Sequence, residues 1–522
     1  MAEAKRSDAL IIGSGIGGCI PALLLADKGF DVLVITRASE PAETNTYYAQ
    51  GGIIFKGKDD SPDTLVKDIM RAGAGLSLQR SAELMAELGP SLVESLLINK
   101  YRVPFSRTSN GELELSLEGG HSLPRVIHAN DSTGKAIEDT LIKEVHNHPR
   151  IQLLTNATAI DLLTLSHHSK NRLSVYEPET CVGAYVFDRT NNQVIRCIAP
   201  NTILATGGVG NIFARSTNPP GARGDGIAMA ARTNARVINA EYIQFHPTTF
   251  EHKDSPPFLI SEAVRGAGAR LVHNNGEPFM QRYEPEWKDL APRDIVARSI
   301  VKEMLERDVP CVYLDLRSYI HETDIKERFP NIYNHCSQYG IDITTDLVPV
   351  VPAAHYSCGG VWTDEWGCTT VNGLYAVGEV SCTGVHGANR LASTSLLEGL
   401  VWGYQAAEHI MKRAQDNRSL DHDDIPPWQD TGTEIPDPAL IQQDMNVIRN
   451  IMWNYVGLVR TTRRLGPALR ELRNLHTEIE NFYQISKIND NLIGLRNAAE
   501  AAIIIAHAAW KNKKSMGCHY RE

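Results

Sequence analysis

The sequence predicts an α/β fold in which a nucleotide-binding domain is assembled from separate segments of the chain. Two observations predict this domain: a strand–turn–helix–strand unit at the N-terminus, and further apolar strands over residues 201–205 and 374–377. A helical period near the C-terminus predicts a separate helical domain. We therefore expect a discontinuous nucleotide-binding domain (1–240 and 350–414), an inserted α+β capping domain (241–349), a linker (415–438) and a C-terminal helical bundle domain (439–522).

Residues 9–26 contain no charged side chain and are long enough to suggest a membrane span. Interior glycines and Pro21 argue against a single continuous helix. The segment is better explained by a buried strand over 9–12, a glycine-rich turn and an apolar helix over 20–28. A strand over 32–35 completes a βαβ unit, which predicts a parallel sheet.

The turn of this unit has the sequence Gly13-Ser14-Gly15-Ile16-Gly17-Gly18, which fits the pattern G-x-G-x-x-G. In that pattern the first glycine permits a tight turn, the second lets the backbone approach a pyrophosphate, and the third allows close helix–strand packing. The N-terminus of the helix then faces the phosphates. This indicates a Rossmann-like dinucleotide-binding domain.

The identity of the dinucleotide depends on three positions. The acidic residue expected about 20 positions after the glycines is missing, and the second strand ends in Thr36-Arg37. Arg37 could indicate a 2′-phosphate and hence NADP, or it could flank an adenosine or point to solvent. Glycine turns at Thr206-Gly207-Gly208 and Gly378-Glu379 favour FAD, because Glu379 could bind a ribityl hydroxyl.

Apolar side chains recur at helical spacing after the proline-rich residues 415–438. The first helix is predicted from Ile441, Met445, Ile448, Met452, Tyr455 and Val459. Leu465, Leu469, Leu472 and Ile479 continue the period in a second helix, and an alanine-rich third helix covers about 491–510. We interpret this stripe as the core of an antiparallel helical bundle and not as a cofactor site.

Composition limits the classes of function. The net charge of −10 argues against a general nucleic-acid binder. Nine cysteines, with no C-x-x-C pair, suit a reducing compartment better than a disulfide framework, and we identify no metal site. The N-terminus carries no signal-peptide apolar region, so we expect a cytoplasmic protein without membrane segments.

Seven motifs, in order along residues 9 to about 400, resemble the succinate dehydrogenase/fumarate reductase flavoprotein family, and within it the aspartate-oxidising branch. They are Thr44-Asn45-Thr46-Tyr47-Tyr48-Ala49-Gln50-Gly51-Gly52, Glu118-Gly119-Gly120-His121-Ser122, Gln244-Phe245-His246-Pro247-Thr248, Ser261-Glu262-Ala263-Val264-Arg265-Gly266, residues 291–298, Pro352-Ala353-Ala354-His355-Tyr356 and His386-Gly387-Ala388-Asn389-Arg390.

The resemblance implies FAD as cofactor. The respiratory members carry FAD covalently on a histidine, and Asn45 stands at that position here. An amide has no nucleophilic nitrogen comparable to imidazole, so we expect non-covalent FAD. The expected flavin contacts are Ser14, Gly15, Ile16, Gly17, Gly18, Arg37, Thr44, Asn45, Thr46, Tyr47, Tyr48, Ala49, Gln50, Gly51, Gly52, Asp225, Glu379, Ser395 and Leu396.

The same resemblance implies a pocket for a C4 dicarboxylate. Arg390 and His355 would hold one carboxylate, and His246 with the Ser261-Glu262 turn would hold the other. Each of these residues could instead be structural. Together, in this order and context, they indicate a substrate site.

Arg293 is implied to act near the Cα–Cβ bond of the substrate. Because arginine has a pKa above about 12, proton transfer is demanding, and Arg293 could mainly orient the substrate by its charge. A structural pair between Arg293 and Asp294 is the alternative. For the substrate ammonium we expect Glu118 as the acceptor, with Gln244 second.

The resemblance implies FAD-dependent oxidation of L-aspartate to iminoaspartate, with hydride transfer from Cα to flavin N5. Reoxidation by oxygen or fumarate is expected, and the resemblance implies supply of a quinolinate synthase in NAD biosynthesis. The alternatives are a fumarate reductase or succinate dehydrogenase flavoprotein subunit, an NADP enzyme resting on Arg37 alone, and a non-catalytic flavin-binding protein.

Overall fold

The structure is a computed structural model that describes residues 4–413 and 425–522. Its strands are β1 (Ala4–Arg6), β2 (Ala9–Ile12), β3 (Val32–Ile35), β4 (Ile53–Ile54), β5 (Leu115–Ser116), β6 (Val126–Ile127), β7 (Ile151–Leu154), β8 (Ala157–Thr164), β9 (Cys181–Asp188), β10 (Gln193–Ile198), β11 (Asn201–Leu204), β12 (Val237–Ile238), β13 (Ile243–Phe250), β14 (Phe258–Leu259), β15 (Arg270–Val272), β16 (Val312–Asp315), β17 (Val348–Ser357), β18 (Gly360–Trp362), β19 (Leu374–Ala376) and β20 (Ser381–Cys382).

The helices are α1 (Ile16–Asp27), α2 (Pro62–Ala72), α3 (Gln79–Leu92), α4 (Thr133–Asn147), α5 (Leu165–His168), α6 (Asp225–Arg232), α7 (Glu262–Gly266), α8 (Arg293–Arg307), α9 (Glu322–Arg328), α10 (Pro330–Gln338), α11 (Ser395–Arg413), α12 (Pro438–Val456), α13 (Thr462–Ile485) and α14 (Asp490–Lys511). A π-helix over Val93–Lys100 follows α3.

A parallel sheet in the order β19-β11-β2-β3-β7 forms the centre of the nucleotide-binding region. Strands β2 and β3 belong to the N-terminal βαβ unit, and β7, β11 and β19 come from later parts of the chain; β2, β3 and β11 are buried throughout. Strands buried on both faces read as continuous apolar runs, which is why the sequence identified them. The predicted α/β fold with a discontinuous nucleotide-binding domain is confirmed.

Helix α1 begins at Ile16, four residues before the predicted start, and includes Pro21. Its glycines serve close packing. A Cβ on Gly18 would lie 2.1 Å from the carbonyl oxygen of Gly13, and a Cβ on Gly399 of α11 would lie 3.0 Å from Ile16. Small residues therefore let α1 approach both the sheet and α11.

An antiparallel sheet in the order β14-β13-β17-β16-β15 forms the core of the capping region. The register of β13 and β17 shifts on either side of the pair His246–Ala353. Such bulges change the direction of side chains along a strand. The predicted domain boundary at residues 349/350 falls inside β17, whose later half continues beside β13.

Helices α12, α13 and α14 pack together as the predicted C-terminal bundle. Helix α14 is the one helix within residues 4–413 and 425–522 that is long and apolar enough to cross a membrane, and 67% of its apolar window is buried inside the protein. This burial is typical of the central helix of a bundle. The predicted linker lies partly outside the described residues, and α12 follows it with Asp437 as its N-cap.

Candidate active site

One continuous cavity runs from the glycine-rich turn to the capping sheet. It begins beside Gly13–Gly17 and the end of β3, passes the loop 43–52, and reaches side chains of β13, α8 and the residues before α11. Parallel α/β sheets bind ligands beyond the carboxyl ends of their strands, which is where the cavity starts.

The glycine-rich end has the shape of a phosphate cradle. Gly13 has φ +117°, and a Cβ there would lie 2.1 Å from the carbonyl oxygen of Ala205. A Cβ on Gly15 would meet Thr46 Oγ1 at 3.0 Å. The first amide of α1, from Ile16, donates to that same Oγ1. The bare backbone thus lines the cavity, as close approach of a pyrophosphate requires.

Several buried polar atoms along the cavity lack partners among the described residues. They are Asn45 Oδ1, Gln50 Oε1, Thr206 Oγ1, Asn218 Oδ1 and Arg390 Nε. Buried polar atoms are almost always hydrogen-bonded, so unpaired ones facing a cavity indicate a polar ligand. Their spread from the nucleotide end to the capping end fits a long cofactor such as FAD.

Asn45 and Glu379 face each other in the cavity, between its glycine-rich end and its capping end. Its Nδ2 donates to Glu379 Oε2 at 2.5 Å, and the Ser357 amide donates to Oε1 at 3.0 Å. Burial raises the pKa of Glu379 to about 7, although both hydrogen bonds and the charge of Arg390 oppose the shift.

Arg37 lines the cavity and pairs with the C-terminal bundle. Its Nη1 lies 3.3 Å from Oδ2 of Asp490, and Asp490 is the first residue of α14. Arg189 and Arg223 also contact Asp490. Arg223 further pairs with Asp225, which lines the cavity at the start of α6. The basic residue that raised the NADP alternative therefore has a carboxylate partner in the protein.

Arg390 is buried at the capping end. Its guanidinium lies over the ring of Tyr356 at 4.6 Å, and its Nη1 donates to Ser395 Oγ at 3.3 Å. Burial and the nearby charge of Arg293 lower its pKa to about 10. Within the described part of the chain no carboxylate pairs with Arg390. An unpaired buried cation facing a cavity favours an anionic ligand.

His246 and His355 stand beside each other, with ring centroids 5.1 Å apart. Burial together with the charges of Arg293 and its neighbours lowers the pKa of both far below the ordinary value, so both are neutral. Nδ1 of His246 lies 3.2 Å from the Thr248 amide nitrogen and 3.3 Å from the Thr248 carbonyl oxygen. Thr217 Oγ1 lies 2.8 Å from Nδ1 of His355.

Arg293 is the first residue of α8 and is held from two sides. Its Nε donates to Glu262 Oε2 at 2.7 Å, and its Nη1 donates to Gln244 Oε1 at 3.2 Å. Burial works to raise the pKa of Glu262, but the charges of Arg293 and Arg265 outweigh it and lower that pKa. The alternative pair with Asp294 does not form, because Asp294 bonds Arg298.

Glu118 is buried and not an exposed loop charge. Ser393 Oγ donates to its Oε2 at 2.5 Å, and the Gly52 amide lies 3.4 Å from Oε1. The loop that carries Glu118 is fixed by Asp68, which accepts from the Ser122 amide at 2.8 Å. A carboxylate held in this way suits a cationic group of a ligand.

Most of the predicted site residues line the cavity. They are Ser14, Gly15, Ile16, Gly17, Arg37, Thr44, Asn45, Thr46, Tyr48, Ala49, Gln50, Gly51, Gly52, Glu118, Asp225, His246, Ser261, Glu262, Arg293, His355, Glu379, Arg390, Ser395 and Leu396. Three predicted site residues do not line the cavity, namely Gly18, Tyr47 and Gln244. Gly18 packs on Gly13, Tyr47 lies under Lys135, and Gln244 is fully buried against Arg293.

Sequence reasoning missed other lining residues, among them Thr217, Asn218, Leu259 and Ser393. Ser393 stands two residues before the predicted Ser395, so extending that motif would have found it. Thr217 and Asn218 occupy an irregular segment without a recognisable pattern. Their role depends on the fold bringing them beside His355.

Comparison with known families supports this architecture. Residues 8–396 match the family described as FAD binding domain. Residues 445–522 match the family described as fumarate reductase flavoprotein C-term. The first match includes every residue that lines the cavity except Gly399, and the second covers most of the C-terminal bundle.

Relatives cover nearly the full chain. The L-aspartate oxidase of Yersinia pestis is 42% identical over 98% of this chain and 95% of its own length. The L-aspartate oxidase of Halobacterium salinarum is 40% identical over 100% of this chain and 97% of its own length. Among solved structures, E. coli quinol fumarate reductase has a TM-score of 0.88 at 26% identity, covering 100% of this chain and 92% of that one. The Mycobacterium smegmatis Sdh1 complex has a TM-score of 0.80 at 27% identity, covering 100% of this chain and 89% of that one.

The fold and the cavity together define an FAD-dependent oxidoreductase, which confirms the predicted cofactor. The NADP alternative, which rested on Arg37 alone, is not supported. The chain belongs to the L-aspartate oxidase branch of the succinate dehydrogenase/fumarate reductase flavoprotein family.

Proposed function

We propose that the protein oxidises L-aspartate to iminoaspartate at the capping end of the cavity. The observation that carries this proposal is the unpaired, buried Arg390, which shares a cavity with neutral His246 and His355 and with the buried carboxylate of Glu118. L-Aspartate presents two carboxylates and one ammonium. Cationic and N–H groups suit the former, and Glu118 suits the latter.

Arg390 and His355 would hold one carboxylate of the substrate. Arg390 has donors free of protein carboxylates among the described residues, and its planar fork matches a carboxylate. His246 and the Ser261-Glu262 turn at the start of α7 would hold the other carboxylate. With both ends fixed, the substrate has one orientation, which lowers the entropic part of the barrier.

Arg293 would orient the substrate near its Cα–Cβ bond. Glu262 and Gln244 together fix the plane of its guanidinium. Glu118 would face the ammonium of the substrate. FAD, when bound, supplies the acceptor at N5 for the hydride that leaves Cα. The residues that would hold it are the predicted flavin contacts that line the cavity, from Ser14 at the glycine-rich turn to Leu396 at the start of α11.

We further propose oxygen or fumarate as the electron acceptor, since fumarate has the same two carboxylates as the substrate. The product would supply a quinolinate synthase in NAD biosynthesis. A cytoplasmic location is supported by nine cysteines that are all free thiols.

An anaerobic titration tests the proposal. L-Aspartate is added to the yellow holoenzyme, succinate is added to a second sample, and the visible flavin band is followed. We expect aspartate to bleach the band and succinate to leave it oxidised. Bleaching by succinate alone would contradict the proposal and favour the fumarate reductase or succinate dehydrogenase alternative.

A further inference from the structure

The last residues of the chain return to the substrate end of the cavity. Residues 516–519, called here the C-terminal hairpin, are closed by hydrogen bonds between Met516 and His519 in both directions. The Cys518 amide donates to the carbonyl oxygen of Ala388 at 2.9 Å, two residues before Arg390. Arg298 Nη1 donates to the Gly517 carbonyl oxygen at 3.2 Å. The hairpin thus contacts both α8 and the loop that precedes α11.

A chain of side-chain hydrogen bonds continues from the hairpin to Arg293. Cys518 Sγ donates to Asn389 Oδ1 at 3.2 Å, and Gln244 Nε2 donates to the same oxygen at 2.8 Å. Gln244 Oε1 then accepts from Arg293 Nη1 at 3.2 Å. Cys518, Asn389 and Gln244 are buried, and the side chain of Arg293 is 10% exposed.

The direction of each amide in this chain is fixed. Asn389 Nδ2 faces the carboxylate of Asp294 at 3.4 Å, which accepts only, so Oδ1 turns toward Cys518 and Gln244. Gln244 Nε2 donates both to Asn389 Oδ1 and to the Arg390 carbonyl oxygen, which leaves Oε1 for Arg293. A reversed Asn389 amide would bring two donors face to face.

We propose that the C-terminal hairpin is a positioning element of the substrate site, acting through Asn389 and Gln244 on the guanidinium of Arg293. The inference rests on the proposed function, in which Arg293 orients the substrate for reaction. Asn389, Gln244 and Cys518 are positioning residues, since none of them lines the cavity.

Gly517 offers a local way to displace the hairpin. Its φ is +50°, and an added Cβ would lie 2.5 Å from the Ala388 carbonyl oxygen. Gly517→Ala must therefore push the hairpin away from Ala388 and Asn389. Gly340 is a matched control, because its φ is +79° and an added Cβ meets nothing within 4 Å. Gly340→Ala introduces a similar backbone strain without a clash.

The test is rapid anaerobic mixing of holoenzyme with saturating L-aspartate, with the succinate dissociation constant measured separately from the flavin spectrum. For Gly517→Ala we expect the rate constant of bleaching to fall about tenfold, because small misplacement of an orienting group slows reaction strongly. The succinate dissociation constant is expected to change less than about threefold, since Arg390 and His355 remain. Gly340→Ala is expected to match the wild type in both.

Cys518 supplies a second test that leaves the backbone in place. Cys518→Ala removes the donor to Asn389 and is expected to slow bleaching about threefold, whereas Cys518→Ser keeps a donor and stays near the wild type. Rate constants per bound flavin that are unchanged in Gly517→Ala and Cys518→Ala would overturn the inference, as would equal losses of rate and succinate affinity. If the wild type is bleached by succinate only, the proposed function fails, and the same variant ratios measured with succinate still decide this inference.

Discussion

Arg390 combines full burial with the absence of a carboxylate partner among the described residues. Arg125 is equally buried, but it contacts Asp60 and Asp68 at 3.0 Å each. The absence of a carboxylate partner suits a ligand-binding role for Arg390, whereas the two ion pairs suit a structural role for Arg125. Removing one partner of a buried ion pair leaves an uncompensated charge and is destabilising, whereas a buried charge without a partner destabilises the protein until a ligand binds.

We expect Arg390→Met to abolish succinate binding while the ligand-free variant unfolds at the same temperature as the wild type or higher. Arg125→Met is expected to lose about 3–5 kcal/mol of stability, because Asp60 loses its cation and the buried Asp68 keeps only the more exposed Arg71 as its partner. Thermal unfolding and flavin difference spectra measure both effects. A large loss of stability in Arg390→Met would mean that Arg390 is structural.

Glu118 is expected to determine the preference for an amino acid over a simple dicarboxylate. In Glu118→Gln the ammonium loses its anionic partner, while the amide still occupies the same volume. A hydrogen bond between charged groups contributes about 1.5–3 kcal/mol, so kcat/KM for aspartate should fall roughly 10- to 100-fold. Steady-state kinetics with aspartate measure the loss.

Succinate provides the control for Glu118→Gln, since it lacks the ammonium. Its dissociation constant should stay within about threefold of the wild type or decrease, because a negative charge is removed from a site that binds dianions. Equal weakening of aspartate and succinate binding would show that Glu118 only supports the loop 118–125, which Asp68 and Arg125 also hold.

At the scale of elements, helices and strands are predictable from local patterns in the sequence. The βαβ unit is predictable because its strands are continuous apolar runs and its turn needs glycines at fixed spacing. The start of α1 was misplaced by four residues because Gly17 and Gly18, which favour turns, are required there by packing. The stripe in α12 and α13 was identified because amphipathic helices repeat every 3.6 residues.

Contacts between distant elements were not predictable in the same way. The pair Arg37–Asp490 joins residues 453 positions apart, and Cys518–Asn389 joins residues 129 apart. Neither has a local signature, because each depends on how α14 and the C-terminal hairpin pack against the nucleotide-binding region. The resemblance to a family supplied the substrate-site residues, but it gave no information about the residues that support them.

The C-terminal hairpin should lose stability in acid through His519. Burial and the charge of Arg460 lower the pKa of His519 to about 4, and Arg460 Nη1 donates to its Nδ1 at 2.6 Å. An unfolded histidine has a pKa of about 6.5, so the unfolded chain binds more protons between these values. Stability should therefore fall as the pH drops from about 6.5 to 4, by at most about 3 kcal/mol.

Urea unfolding of the wild type and His519→Gln at pH 7 and pH 5 measures this effect. The variant cannot titrate at this position, so its free energy of unfolding should depend less on pH than that of the wild type. At pH 7 the wild type should be the more stable of the two, because the neutral imidazole also bonds the Asn512 carbonyl oxygen. Identical pH dependence in both proteins would contradict the assignment.

At the scale of the whole molecule, the cavity connects regions that are far apart in sequence. Its lining comes from the parallel sheet, the loop 43–52, the capping sheet and the residues around the start of α11. The bundle contributes indirectly, since Asp490 and Asn497 of α14 hold Arg37 and Asp225 at the nucleotide end. Bound FAD would therefore stabilise contacts between all these regions at once.

This arrangement predicts that the cofactor is released intact and stabilises the protein by mass action. Asn45 offers no nucleophile to flavin, so acid precipitation should leave the yellow colour in the supernatant. Free FAD at about 100 times its dissociation constant should then stabilise the folded apoprotein by about 2.7 kcal/mol, and Tm should rise with FAD concentration. Asp490→Asn should weaken this dependence, because three arginines lose their shared carboxylate. Flavin that stays with the precipitate would show a covalent bond, and a Tm independent of FAD would show that the nucleotide end of the cavity does not couple the regions.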